Sequence, residues 1–75
     1  MTKTPICSQR LNFDGESYLG QIIINVDKIG ERYRISTPAI PGQDENGIVN
    51  WASTLEQARS VYRAMRRQFP RYIPA

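Results

Sequence analysis

Arginine is the residue type in this sequence best placed to do chemistry with a partner. Residues 51–75 hold Arg59, Arg63, Arg66, Arg67 and Arg71 against one acid, Glu56, whereas residues 1–50 hold five basic side chains against six acidic. The net charge of +3 and the pI near 9.4 therefore come from the C-terminal third. A guanidinium keeps its charge at any physiological pH and presents a planar fork of donors that fits phosphate oxygens. Arg59, Arg63 and Arg67 recur at i, i+4 and i+8, and Arg66 adjoins them on the same side of a helix. Like charges at that spacing cost an isolated helix about 0.2–0.5 kcal/mol per pair. One reading of the stripe is a solvated helix end whose arginines complement the helix dipole. The other is a surface that tracks phosphates and loses affinity steeply with salt.

Catalytic chemistry is poorly provided for. The chain has no histidine and one cysteine, Cys7, so histidine triads, disulfide frameworks and paired-cysteine zinc sites are excluded. Cys7 has no base to activate it and is expected to serve as a small, half-buried apolar residue. Asp44 and Glu45 fall in a turn-rich loop, Asp14 and Glu16 beside a turn, and the five glycines stand singly, without a phosphate-loop pattern. The expectation is a protein that is not an enzyme and uses no metal and no cofactor. No run approaches the roughly 20 apolar residues of a membrane helix, and no leader-like apolar stretch opens the sequence, so a cytoplasmic location without membrane contact is expected.

The elements that must position the arginines follow from periodicity. Tyr18 to Val26 alternates, with Tyr18, Gly20, Ile22, Ile24 and Val26 on one face and Leu19, Gln21, Ile23 and Asn25 on the other. Asp27 to Gly30 reads as a turn, and Glu31 to Thr37 as the return strand, with Tyr33 and Ile35 opposite Arg32, Arg34 and Ser36. Pro38 and Pro41 end it, and residues 41–47 form a polar, acidic loop. Ile48 to Trp51 reads as a third strand, and a weaker strand pattern runs from about Ile6 to Phe13. Ser53 and Glu56 have capping-box spacing at a helix start. Leu55, Ala58, Val61, Tyr62, Met65 and Phe69 then form an apolar stripe that Pro70 terminates. Residues 70–75 read as a short tail, in which Tyr72 and Ile73 are free to fold back onto the sheet.

With 40% hydrophobic residues, the sequence is expected to form a single small domain over residues 1–75. Its fold class is α+β: a three- to four-stranded antiparallel sheet packed on one C-terminal helix, residues 54–69, in the order β-β-β-α. Residues 1–16 are either a further strand or a flexible arm. Trp51, beside the helix start, is expected to plug the strand-to-helix junction as a core residue. Leu19 and Ile23, on the far face of the sheet, would need cover from the N-terminal segment, a dimer mate or another protein.

The order of hairpin, third strand and helix over Gln21 to Gln68, with the junction Trp51-Ala52-Ser53-Thr54-Leu55-Glu56-Gln57-Ala58, is similar to the AP2-type and integrase arm-binding DNA modules. The resemblance implies a sheet that enters a DNA groove. It carries over no contact residue, because the long acidic loop and the less basic sheet depart from the pattern.

These features predict a binding module for DNA or RNA, with Arg59, Arg63, Arg66 and Arg67 on phosphates and Arg32 and Arg34 as further contacts. One continuous patch joining the two sets would strengthen that expectation, and separate patches would weaken it. The alternative is a protein-interaction module, such as an adaptor or inhibitor of phage or plasmid type. It would use the exposed sheet face or the acidic loop Gln43 to Gly47, and a homodimer is compatible with either.

Overall fold

A computed structural model of the chain describes residues 3–38 and 47–74, Ser17 by its backbone alone. Five strands and one helix follow in the order β1 (Lys3–Phe13), β2 (Gln21–Ile29), β3 (Arg32–Thr37), β4 (Ile48–Ala52), α1 (Leu55–Arg67) and β5 (Tyr72–Pro74). The strands form one antiparallel sheet of spatial order β4-β3-β2-β1-β5. α1 therefore leaves one edge of the sheet and returns the chain to the opposite edge. The α+β class, antiparallel sheet and single covering helix agree with the sequence. The strand count and order do not: the expected three or four strands are five, and a strand follows the helix.

The core lies between α1 and one sheet face. Ile22, Ile24 and Val26 alternate inward from β2, joined by Leu11, Ile35, Ala52, Ala58, Met65 and Phe69. β-branched side chains suit such a pleated, half-buried surface. Register fixes the faces: Val26 lies opposite Ile35, Tyr33 opposite Ala52, and Leu11 opposite Ile22. The segment Asp27 to Gly30, expected as a turn, is strand through Ile29. Lys3 to Pro5 pair it on one side and Arg32 to Arg34 on the other, and the turn falls at Gly30, whose φ of 63° supplies the left-handed residue. Tyr18 and Leu19 belong to a 3-10 turn rather than β2, and Tyr18 is 80% exposed.

The helix starts one residue later than the expected capping box. Thr54 is the N-cap: its Oγ1 accepts the Gln57 N–H at 3.1 Å, and Gln57 Oε1 accepts the Ser53 N–H at 3.0 Å. Thr54 and Gln57 thus take the parts expected of Ser53 and Glu56, except that the Gln57 side chain reaches back to the N–H of Ser53, one residue before the N-cap. Past the helix, Phe69, Tyr72 and Phe13 stack edge to face, with centroids 5.8 and 5.2 Å apart. Arg71 fastens β5 to the β1–β2 turn: it donates two bonds to the Asp14 carboxylate, accepts the Asp14 N–H through its carbonyl, and covers the Phe13 ring at 4.6 Å. Residues 70–75 are thus no loose tail over their described part.

Candidate functional site

The second face of the sheet is covered by no element among the described residues. Strand alternation places on it Lys3, Ser8, Arg10 and Asn12 from β1, Gln21, Ile23, Asn25, Asp27 and Ile29 from β2, Arg32, Arg34 and Ser36 from β3, and Val49 and Trp51 from β4. Trp51, expected in the core, is 44% exposed here. The correction comes from register. Ala52 pairs with Tyr33 on the helix side, so Trp51, next to it in the strand, must point the other way, opposite Arg34.

Among the described strand residues, charge on this face is one-sided. Four cations, Lys3, Arg10, Arg32 and Arg34, meet one carboxylate, Asp27, which is buried and takes a 3.5 Å contact from Arg34 Nη2. The Arg34 Nε–H is buried with no acceptor. Arg32 lies over the Trp51 ring, its guanidinium carbon 4.7 Å from the centroid, which joins a cation to an exposed aromatic surface. Two polar cross-strand pairs complete the face: Ser8 donates to Asn25 at 2.8 Å, and Gln21 donates to Asn12 at 2.7 Å. Hydroxyls, amides, guanidiniums and an aromatic ring on one sheet can donate to phosphates, hydrogen-bond base edges and stack on a base.

The six arginines named from the sequence divide between two faces, as expected for a helix packed on one side of the sheet and strand residues pointing to the other. Arg32 and Arg34 are on the open sheet face. Arg59, Arg63 and Arg67 are exposed on α1, beyond the other face, and Arg66 is half-buried beside Tyr62. The helix and strand arginines therefore make no continuous patch. Burial raises the Tyr62 pKa, against an opposing effect of Arg66 and a smaller reinforcing one from Cys7. The hydrogen bond to Asp14 raises the already high pKa of Arg71.

Lys3 and Arg10 are the contributors that sequence reasoning missed. A signal was present for Arg10, which with Asn12 alternates with Leu11 and Phe13 in the pattern of a strand with one wet face. Cys7 also departs from expectation. It is exposed, because α1 lies over β2, β3 and β4 and leaves the N-terminal half of β1 uncovered. The acidic loop proposed as a protein contact lies outside the described residues except for Gly47. No helix among the described residues is long and apolar enough to cross a membrane. Comparison with protein-family models, curated proteins and solved structures finds no match for the chain.

Proposed function

We propose that this protein binds single-stranded nucleic acid on the open face of its sheet. The observation that carries the reading is the exposed Trp51 ring under Arg32, set in a field of four cations whose one carboxylate is already engaged. Stacking on an aromatic ring needs an unpaired base, which favours single strands over duplex. Lys3, Arg10 and Arg32 supply phosphate contacts, and Asn12, Asn25 and Gln21 supply donors and acceptors for base edges. The helix arginines, on the other side, have at most an auxiliary role in this reading.

Trp51 is the only tryptophan in the chain, so its fluorescence reports this face alone. Titration with a single-stranded homopyrimidine oligonucleotide at low salt is expected to quench it saturably, with weaker quenching by duplex of the same length. No change in Trp51 emission would remove the proposal. A protein partner on the same face is the second reading, favoured by Val49 and Ile73, which are 54% and 50% exposed at its two edges. Co-purification of one protein that survives nuclease and masks Trp51 from a soluble quencher would establish it instead.

A further inference from the structure

The helix side of the sheet holds a second surface that the nucleic-acid reading does not use. β5 pairs with β1 only at Leu11 to Phe13, so the outer edge of β1 from Lys3 to Arg10 is unpaired among the described residues. Such an edge is a template for another strand. Beside it runs a groove of about 390 Å³ lined by Ile6, Cys7 and Val26 from the sheet and Leu55, Ala58 and Tyr62 from α1, with Arg59 and Arg63 also lining it. The β1 register shifts between Pro5 and Cys7, and both Ile6 and Cys7 line the groove. Ile6 and Leu55 stay 46% and 39% exposed there, which leaves an apolar lining open to water.

We infer that this groove and edge receive an extended acidic peptide segment of another protein, added as a strand antiparallel to β1. An apolar side chain of the segment enters between Cys7 and Tyr62, and carboxylates two residues to either side of it meet Arg59 and Arg63. Main-chain hydrogen bonds along the free edge supply affinity, and the groove reads the alternate side chains. Charge selects the occupant. The α1 rim of the groove is two arginines, and the groove lining holds no acid. A second copy paired antiparallel through β1 would bring both arginine rims to one seam, where like charges oppose association.

Cys7, the only cysteine, lies in the groove and gives a readout that Trp51 does not share. The probe is a capped heptapeptide, Thr-Glu-Thr-Leu-Thr-Glu-Thr, with the same peptide carrying lysine for glutamate and a version with proline for leucine as comparisons. At about ten times its Kd, the acidic peptide is expected to slow modification of Cys7 by an aromatic disulfide reagent about tenfold, since modification then proceeds through the free fraction. The lysine and proline versions should leave the rate unchanged. Arg59→Glu with Arg63→Glu, both exposed positions, should reverse the preference to the lysine peptide. Equal protection by acidic and basic peptides, none by the acidic one at millimolar concentration, or protection that grows with protein concentration alone would each overturn the proposal. The last result would assign the groove to a second copy of the chain.

Discussion

Replacing Trp51 with alanine tests the sheet-face reading most directly. Stacking of a base on an aromatic side chain is worth about 1–3 kcal/mol. Its loss should weaken binding of a labelled single strand by about 5-fold to about 150-fold, at about 1.4 kcal/mol per tenfold. The salt dependence is a second, independent quantity. Of the four cations on the face, Arg34 is engaged with Asp27, which leaves Lys3, Arg10 and Arg32 to displace counterions. Three neutralised phosphates of a single strand give a slope of log K against log salt of about −2. Arg10→Glu with Arg32→Glu removes two of the three and should flatten that slope to about −0.7. Arg59→Glu with Arg63→Glu, on the far side of the sheet and largely screened beyond about 10 Å at 0.1 M salt, should leave affinity within about twofold. Fluorescence anisotropy of the oligonucleotide from 50 to 200 mM salt measures both quantities, with circular dichroism melts to show that each variant is folded. The reasoning fails if Trp51→Ala binds as tightly as the parent. It fails equally if the helix pair abolishes binding while the strand pair does not.

Stability should respond most to the centre of β2. Ile24 is fully buried, and Ile24→Ala should cost about 2–5 kcal/mol. That is comparable with the roughly 3–5 kcal/mol available to a core of this size, so the urea transition should lose its native baseline. Thr54→Ala removes the acceptor of the Gln57 N–H and should cost about 1 kcal/mol, a fall in Tm of about 4–8 °C, whereas Ser53→Ala keeps the backbone donor and should change Tm little. Tyr62 has a raised pKa in the fold, so its contribution is complete below about 10 and falls as pH rises through the higher folded value, because the unfolded chain releases that proton first. Melts between pH 9 and about 11 should decline less steeply for Tyr62→Phe than for the parent; parallel curves would show that Tyr62 does not contribute this dependence.

What the sequence revealed was whatever local periodicity determines. Ile22, Ile24 and Val26 announce one buried face, Tyr33 and Ile35 match it, and the stripe ending at Pro70 marks α1. What it concealed depends on pairing between distant segments. β5 has three residues and is held by Phe13, Phe69 and Asp14, none of which lies in its own segment. Asp27 to Ile29 looks like a turn until strands on both sides are known. Trp51 shows the conflict most clearly. Hydropathy alone would bury it, but parity within β4 sends it out once the small Ala52 occupies the buried position ahead of the helix. The candidate site suffered in the same way. Arg32 and Arg34 were legible from the hairpin, whereas Lys3 and Arg10 join them only because β1 pairs along β2.

The two surfaces are the two sides of one sheet and share β1, so their occupants should not be independent. Lys3 and Arg10 point to the open face, while the backbone of the same strand forms the free edge. A strand added there would also extend the open face, about 4.8 Å beyond β1, and its outward side chains would stand beside Lys3 and Arg10. Carboxylates at those outward positions would occupy the cations that a phosphate needs; threonines would not. The heptapeptide with outward glutamates in place of its threonines should therefore raise the oligonucleotide Kd, and the oligonucleotide must raise the Kd of that peptide by the same factor. The original heptapeptide should leave oligonucleotide affinity unchanged. Measuring both dissociation constants in the presence and absence of the other ligand, through Cys7 protection and Trp51 emission, closes the cycle. If the outward glutamates have no effect, either the peptide does not lie along β1 or Lys3 and Arg10 do not contact the nucleic acid, and Arg10→Glu alone distinguishes the two.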